Sequence, residues 1–529
     1  MVSRFVIVDL VRRLARGALT VIELLLLSAL ILAARCANYQ EVFVAGNVYF
    51  TDADCYARMT RARMCAEHPG LIVRHHDFEN FPQGITPHTT APLDYLIVAL
   101  SILLRPATAH ALDFAGALVS PVLALFGGWF LWWWSRRIHL PYRWVLLLLY
   151  AISPVLVHAT KLGRPDHQSL AVVLVIVAIC AEWVLSFERA PKWSVVSGGA
   201  WAVAFWVSLY EPLVLFVLVM ACTLLQDRQS LWAKHRRPGW VAFVTLLAVA
   251  LLVERRLPRL TPFYSGPVFR NWSRTVTELV AVSPIHPIWF QWVGWSLIAA
   301  PVLIWLSFRR KTSLRFFVGV LLVVTYLLTS WQARWGYFFA AVFALALPAL
   351  LEPFKSRALV WPIFIVSLFP VLRDWDRRLW PGEAEYIDRI EKRSESVQLR
   401  EFALDLQSTE QRAFLAQWWL SPEIAYWSGQ PGVAGSSHES LPGIAESARF
   451  FVSQDWETAR QVLQNHSVTW LIVYDPERAA QNAAAILGSP APHTPVCMIL
   501  DRTPSRAPSF LSFSAQTGAA KLYRVVSNR

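Results

Sequence analysis

Long apolar runs alternate with short charged segments over the first 372 residues of the chain. We read eleven of these runs as helices that cross a membrane, because a membrane-spanning helix needs an almost uninterrupted apolar stretch. Their approximate ranges are 18–35, 112–134, 143–159, 169–187, 194–209, 211–226, 239–253, 288–308, 314–330, 336–352 and 357–372. The pattern therefore predicts a polytopic α-helical membrane protein.

One further apolar run, 92–104, has only 13 residues. A helix rises 1.5 Å per residue, so this run is too short to cross about 30 Å of hydrocarbon. We expect it to lie in or against the membrane as part of a large outer loop, 36–111. A second outer loop is predicted over 255–286.

Four basic loops set the predicted orientation, since loops rich in Lys and Arg stay in the cytoplasm. Their ranges are 135–143, 187–192, 234–237 and 309–315. All four agree only if 92–104 does not cross. The N-terminus is then cytoplasmic and both outer loops face the periplasm, as expected for a protein of the bacterial inner membrane.

The composition becomes soluble-like after residue 372. A charged helical pattern covers about 383–416, a helix is predicted near 455–466, and a run typical of a strand follows at 468–474. We therefore predict a transmembrane domain over 1–372 and a periplasmic mixed α/β domain over 373–529.

Composition supports this division. Hydrophobic residues make up 55% of the chain and charged residues 16%, where a soluble protein has about a quarter charged. The net charge of +13 lies largely in the short loops, so it indicates orientation and gives no reason to expect nucleic acid. Cys55 and Cys65 share one outer loop, and the sequence leaves open whether they form a disulfide.

The predicted outer face carries two acidic motifs. Asp52 and Asp54 form a D-x-D pair, followed by Arg58; such carboxylates can hold a hard divalent cation, or can be solvated loop acids. Asp166 and His167 lie in the segment 161–168, at the outer end of the third predicted span. There they can ligate a metal or move a proton, or belong to a polar loop that merely ends a helix.

Three more features fall on the same face. Glu278 closes the sequence 274–278, which can also be read as a capped helix start. Arg334 opens an apolar helix, where a guanidinium suits phosphate or anchors the interface. The pair Trp418-Trp419 lies in the outer domain, where an aromatic core is the alternative.

Taken in this order, the motifs resemble the catalytic subunit of oligosaccharyltransferase and its bacterial and archaeal single-subunit relatives. These enzymes belong to the C-type membrane glycosyltransferase superfamily, and the resemblance covers about residues 40–435. It implies transfer of a glycan from a polyprenyl-(pyro)phosphate donor to an acceptor on the outer face, with protein asparagine as the expected acceptor.

The resemblance also implies roles for residues. The catalytic acids would be Asp52, Asp166 and Glu278. Mn²⁺ or Mg²⁺ would be held by residues of the two acidic motifs, namely Asp52, Asp54, Asp166, His167 and Gln168. Arg334 would bind the donor phosphate. Glu278 and the Trp418-Trp419 pair would contact the acceptor, the latter as the start of a W-W-D motif that reads the hydroxyl of an N-x-S/T acceptor.

Three departures from the family pattern stand out. Leu420 replaces the W-W-D aspartate, although Glu423 lies close enough in sequence to substitute for it. Gln168 is a weaker metal ligand than the family's usual carboxylate or histidine. The eleven predicted spans are fewer than the usual thirteen. Lipid-linked sugar transfer is therefore favoured over asparagine glycosylation in particular, and a lipid or glycan acceptor is the alternative.

A transporter is the remaining alternative from a different class. Transporters place ionisable groups near the bilayer midplane and often contain repeats. The chain shows no repeat, and Glu23 is the one acidic residue that we place within the first span.

Overall fold

Helices dominate the structure, as the apolar runs predict. The computed structural model describes residues 2–256, 266–354 and 356–526, and side chains from residue 17 onward. Part of the predicted second outer loop, 257–265, lies outside the described residues. The helices of the first 380 residues are Val2–Arg35, Tyr39–Val42, Ala53–Glu67, Ala91–Leu104, Ala111–Arg137, Arg143–Ile152, Pro154–Ala159, His167–Leu185, Pro191–Val207, Tyr210–Gln226, Arg237–Glu254, Pro267–Ser273, Ile288–Val293, Ser296–Arg309, Phe316–Trp331, Gly336–Leu351, Arg357–Ser367 and Phe369–Leu379.

Several of these helices are long and apolar enough to span a membrane, which confirms the polytopic prediction. Within the described residues five qualify by length and composition, namely Gly17–Arg35, Ala111–Arg137, His167–Leu185, Lys234–Glu254 and Ala333–Leu351. The bent pair 357–367 and 369–379 makes up to six. Other apolar helices have 10–17 residues, and Ala91–Leu104 is among them, as predicted. The count of eleven spans stays a prediction.

Three predicted continuous spans are broken, and there the prediction was wrong. The run 143–159 breaks at Ser153, before Pro154, which has no N–H to continue the helix. The run 288–308 breaks at Gly294, whose φ of 81° suits glycine. The run 357–372 bends by 43° between its two helices.

Polar contacts join these breaks to one another. The Ser153 hydroxyl donates to the Trp292 carbonyl at 2.7 Å, just before Gly294. The Trp295 N–H, just after Gly294, donates to the Ser367 carbonyl at 2.7 Å. The Trp375 indole donates to the Ile152 carbonyl at 2.7 Å. The interrupted helices thus satisfy each other's polar groups away from water.

Two helices form the centre of the bundle. Of the apolar windows in His167–Leu185 and Ala333–Leu351, 89% is buried within the protein, against 17% for Gly17–Arg35 and Lys234–Glu254. Both central helices begin next to residues that the sequence marks as functional, Asp166 and Arg334. The positive N-terminal ends of the two helices therefore face the region of the candidate site.

Glu23 is paired at one end of the bundle. Its carboxylate accepts from Arg143 at 2.6 Å and lies 3.6 Å from Arg136. Both arginines belong to the first predicted cytoplasmic loop, so the contact places that loop beside the N-terminal half of the apolar span Gly17–Arg35. A charge paired in this way gives no support to a transport pathway.

The C-terminal segment forms a mixed sheet flanked by helices, as predicted. The strands lie in the order Phe414–Leu415, Trp470–Tyr474, Ala520–Val525 and Leu511–Gln516, with the first pair parallel and the others antiparallel. The helices are Glu383–Leu404, Ser421–Ser428, Leu441–Val452, Trp456–Asn465, Pro476–Leu487 and Val496–Arg502. The predicted strand at 468–474 and helix at 455–466 are confirmed within two residues. The domain limit at 372/373 stays a prediction, and the helix Phe369–Leu379 runs across it.

The first outer loop packs against this C-terminal segment. Arg63, on the helix Ala53–Glu67, donates to the Tyr426 carbonyl at 2.8 Å. On the same helix, Arg58 forms a buried ion pair with Asp94 at 2.7 Å, which fixes it to the short helix Ala91–Leu104. The six cysteines, Cys55 and Cys65 among them, are free thiols. The start of Ala53–Glu67 is therefore held between the membrane helices and the outer domain.

The orientation can be tested with paired reporters. We expect fusions after Arg143, Arg237 and Lys311 to fluoresce with a cytoplasmic reporter, because basic loops remain inside. A phosphatase, which is active only in the periplasm, should be active when fused after Trp380. Each site receives both reporters, so that each serves as the control for the other. Phosphatase activity at Arg143 would contradict the orientation.

Candidate active site

Asp52 begins the helix Ala53–Glu67. Its Oδ1 accepts from the Cys55 N–H at 3.0 Å, which is the contact of an N-cap residue. Its Oδ2 accepts from the Arg164 guanidinium at 2.9 Å. The local fold thus fixes one oxygen of Asp52 and aims the other at a cation.

Arg164 lies at the centre of three carboxylates that are far apart in the sequence. Besides Asp52, its guanidinium lies 3.2 Å from Asp166 Oδ2 and 2.6 Å from Glu278 Oε1. The Arg164 side chain is only 6% exposed, whereas Asp52 is 36% and Glu278 28% exposed. We call Asp52, Asp166 and Glu278 with Arg164 the acid cluster. Two of its acids are open to solvent on one side.

Glu278 is tied to the other two motifs. Its Oε2 accepts from the Gln168 amide at 3.1 Å, and its Oε1 from the Tyr337 hydroxyl at 3.0 Å. The Ala333 N–H also donates to the Val280 carbonyl at 2.9 Å. The segment that carries Glu278 therefore lies against the starts of both central helices.

Asp166 caps the helix His167–Leu185 and stays ionised. Its Oδ1 lies 2.7 Å from His167 Nδ1. Burial opposes ionisation, but His167 and Arg164 outweigh it and hold the pKa of Asp166 well below its usual range. Burial also opposes the charge of Arg164, yet the surrounding Tyr337 and carboxylates raise the pKa of Arg164 well above its usual value. Asp166 and Arg164 thus stabilise each other's charges.

Asp54 lies outside the acid cluster and is exposed to solvent. The protein atoms around its carboxylate and the neighbouring Asp52 carboxylate raise the pKa of Asp54 to about 8.

The acid cluster has donors suited to Mn²⁺ or Mg²⁺, because both ions prefer oxygen ligands. The Arg164 guanidinium already occupies the space between Asp52, Asp166 and Glu278. A divalent ion among these oxygens would require Arg164 to move, so this arrangement does not fit the metal that the sequence predicts there. Among the described residues, a group that could hold a metal ion lies elsewhere, at His88, His438 and Glu439.

Arg334 lies beside the acid cluster but is paired with another residue. Its guanidinium contacts the Glu211 carboxylate at 2.5 Å and lies 6.0 Å from the centre of the Tyr210 ring. Its side chain is 22% exposed. Arg334 is thus held in place by a buried acid while part of its side chain stays exposed.

The predicted acceptor residues lie in packed surroundings. The Trp418 ring contacts Trp272, 5.8 Å away and just before the Glu278 segment, and its indole donates to Asn482 at 2.9 Å. Arg478 lies over the Trp419 ring at 4.8 Å. Leu420 is buried in the core, 3% exposed. Leu420 therefore completes a hydrophobic core and reads no hydroxyl.

Glu423 is engaged by the first outer loop. Its Oε1 accepts from the Tyr56 hydroxyl at 3.3 Å. Burial raises the pKa of Glu423 to about 7, although this hydrogen bond lowers it. The Oε1 atom of Glu423 is therefore already engaged by Tyr56.

Sequence reasoning missed three residues that organise the site: Arg164, Tyr337 and Glu211. Arg164 and Tyr337 lie close in sequence to predicted site residues, Asp166 and Arg334 respectively. The sequence analysis assigns a role to those neighbours and none to Arg164 or Tyr337. Glu211 gave a usable signal, because an acid at the start of an apolar helix is costly without a partner. No sequence pattern predicts that one guanidinium, that of Arg164, pairs with three carboxylates.

Comparisons with known proteins bear on the fold. No protein-family model matches the chain, and no curated protein sequence matches it. Solved structures do match. The oligosaccharyltransferase AglB of Archaeoglobus fulgidus, with a tethered acceptor peptide, gives a TM-score of 0.68 at 14% identity, over 88% of this chain and 70% of that one.

Two other transferases match over nearly the whole chain. ArnT of Cupriavidus metallidurans, bound to undecaprenyl phosphate, gives a TM-score of 0.58 at 14% identity, over 97% of this chain and 98% of ArnT. The mycobacterial arabinofuranosyltransferase AftD gives 0.53 at 15% identity, over 96% of this chain but 40% of AftD. The chain therefore has the C-type membrane glycosyltransferase fold that the resemblance implied.

Titration with Mn²⁺ tests whether Arg164 leaves room for a metal. We expect no Mn²⁺ binding that depends on Asp52, because the Arg164 guanidinium already occupies the space between the three carboxylates. The measurement is the electron paramagnetic resonance signal of free Mn²⁺ during titration of the wild type and Asp52→Asn. Asp405→Asn, an exposed acid elsewhere, is the matched control. A Mn²⁺ site present in wild type and control but lost in Asp52→Asn would restore the metal centre predicted from the sequence.

Proposed function

We propose that this protein is a membrane glycosyltransferase that uses a sugar linked to a polyprenyl phosphate or pyrophosphate. The observation that carries the proposal is the convergence of Asp52, Asp166 and Glu278 at the starts of the two central helices, next to Arg334. Carboxylates suit an acceptor that must lose a proton, and the positive helix ends with Arg334 suit a phosphate leaving group.

The proposed reaction is a displacement at the anomeric carbon. The acceptor's nitrogen or oxygen forms a bond to that carbon while the bond from the carbon to the phosphate oxygen breaks. The electron pair leaves with the phosphate, and the acceptor's proton passes to Asp52. Asp52 is the most exposed acid of the cluster, at 36%, so an acceptor can reach it.

The remaining residues of the cluster bind and position. Glu278 is partly exposed and held by Gln168 and Tyr337, so it is placed to accept a second hydrogen bond from the acceptor. Asp166 is buried and fixes Arg164 rather than contacting substrate. Arg334 offsets the charge that develops on the leaving phosphate, a contribution of about 1.5–3 kcal/mol for a hydrogen bond to a charged group.

Known structures support the choice of donor. ArnT of the same fold is bound to undecaprenyl phosphate, and AglB was solved with a dolichol-phosphate. For this chain we propose a polyprenyl carrier in the bacterial inner membrane, with the acid cluster on the periplasmic side. The basic loops and the Glu23–Arg143 pair support that side.

Two acceptor classes remain, and each has an observation in its favour. A protein asparagine fits the match to AglB, which was solved with a peptide containing the NVT sequon. A lipid or glycan fits the match to ArnT over 98% of its length, together with the burial of Leu420, which leaves no aspartate to read a sequon hydroxyl. Asparagine is the first candidate to test.

Two substitutions test the roles of Asp52 and Arg334. Asp52→Asn should lower kcat by at least about a hundredfold, because a positioned acid or base contributes roughly 10²–10⁴. Arg334→Ala should lower kcat/KM for the donor by about tenfold or more, from the lost phosphate contact. The measurement is transfer of a labelled sugar from a polyprenyl-linked donor by purified protein.

The matched controls are Asp405→Asn and Arg506→Ala, which change exposed residues outside the site. Both should transfer at the wild-type rate. Full activity of Asp52→Asn would remove the acid cluster from the mechanism. An unchanged kcat/KM for the donor in Arg334→Ala would leave that residue as a partner of Glu211 only.

A peptide series tests the acceptor. If peptides are used, we expect those with Thr, Ser or Ala two residues after the asparagine to be modified at similar rates, because Leu420 offers no hydrogen-bond acceptor. A site built around such a bond would discriminate by about 10⁴ or more. Transfer to extracted lipid or glycan acceptors, but to none of the peptides, would establish the second class. A Thr preference above about a hundredfold that survives Glu423→Ala would contradict the role assigned to Leu420.

A further inference from the structure

Two histidines and a glutamate meet where the first outer loop contacts the outer domain. His88 belongs to the loop, and His438 and Glu439 belong to the short helical turn His438–Ser440. His88 Nδ1 lies 3.0 and 3.1 Å from the two Glu439 carboxylate oxygens. His438 Nε2 lies 3.1 Å from Glu439 Oε1. No role in the acid cluster accounts for these three side chains.

The spacing of these atoms matches a small coordination sphere. One ligand atom from each residue can be chosen so that all three lie within 4.8 Å of one another. Metal–ligand bonds of about 2.0–2.1 Å in a tetrahedral site place the ligand atoms roughly 3.3 Å apart. The separations of 3.0–3.1 Å between Glu439 and the two histidines are close to that value.

Hydrogen bonds hold the segment after His88 in place. Next to His88, the Thr89 carbonyl accepts from Arg256 at 2.7 Å and the Thr90 hydroxyl donates to the Trp206 carbonyl at 2.5 Å. The Glu439 side chain is 10% exposed and that of His438 16%. His88, at 43% exposed, leaves an approach from solvent. The site is thus formed before any ion arrives.

The donor set selects the class of ion. Imidazole nitrogens suit Zn²⁺ and its neighbours in the first transition series, whereas Mg²⁺ and Ca²⁺ prefer oxygen alone. Two histidines and one glutamate are a known ligand set for Zn²⁺, with a fourth position left for water or another ligand. The same chemistry gives no advantage to Mg²⁺.

We propose that His88, His438 and Glu439 bind one Zn²⁺-type ion that joins the first outer loop to the outer domain. The ion would connect two segments that are far apart in sequence, since 351 residues separate His88 from Glu439. It would lie near the acid cluster, because the His88 ring is 5.8 Å from the ring of His167, which contacts Asp166. The site is distinct from the metal centre that the sequence predicts at the acidic motifs.

Zinc binding can be measured without any sugar transfer, so the result does not depend on the proposed function. Full-length protein in detergent is stripped with a chelator and titrated calorimetrically with ZnCl₂ alone. We expect one ion per chain, and at least about a hundredfold weaker binding in His88→Ala and in Glu439→Gln, because each removes a direct ligand. His110→Ala, an exposed histidine of the same outer loop, should bind like the wild type.

A second readout separates this site from surface binding. Co²⁺ in place of Zn²⁺ should show the intense visible absorption of a tetrahedral site in the wild type and in His110→Ala only. Zn²⁺ should raise the Tm of the same two proteins, since binding to the folded state stabilises it. Mg²⁺ should produce neither effect.

Three outcomes would overturn the proposal. They are no saturable Zn²⁺ binding by the wild type, equal binding by all variants, and a Co²⁺ spectrum that survives His88→Ala. Gel filtration and far-ultraviolet circular dichroism verify that each variant is folded. If one variant fails this check, His438→Ala and the remaining variant decide the question by the same measurements.

Discussion

The ion cluster around Arg164 is the constraint on which the outer face depends. One buried guanidinium collects Asp52 from the first outer loop, Asp166 from the start of a central helix and Glu278 from a later loop. Three carboxylates this close would repel one another strongly in the absence of a cation. Because removing one member of such a buried group leaves the others uncompensated, the position of each segment is tied to the positions of the other two.

The packing around the cluster follows from this. Tyr337 and Gln168 hold Glu278 from the two central helices, and Arg58 with Asp94 fixes the helix that Asp52 begins. Two of the three acids, Asp52 and Glu278, remain partly exposed beside the starts of the two central helices. A site assembled from several segments on such a frame can keep its geometry while its acceptor specificity varies.

The sequence predicted much of this, but not its centre. Apolar periodicity identified the membrane helices, the short helix Ala91–Leu104 and the strand Trp470–Tyr474. The order of motifs predicted that Asp52, Asp166, Glu278 and Arg334 belong together. The role of Arg164 could not be predicted, because it depends on which acids the fold brings to one guanidinium. The helix breaks at Ser153 and Gly294 were not predicted, because hydropathy identifies apolar runs but not the points at which the backbone turns within them.

The three interrupted helices have a consequence for biogenesis. Each short segment would leave unpaired polar groups in lipid if it inserted alone, and the partners at Trp292, Ser367 and Ile152 come from the other interrupted segments. Their stable placement therefore has to wait until all three have left the translocation channel. The last of them ends at Leu379. Most of the membrane region must therefore be synthesised before these segments can pack stably against one another.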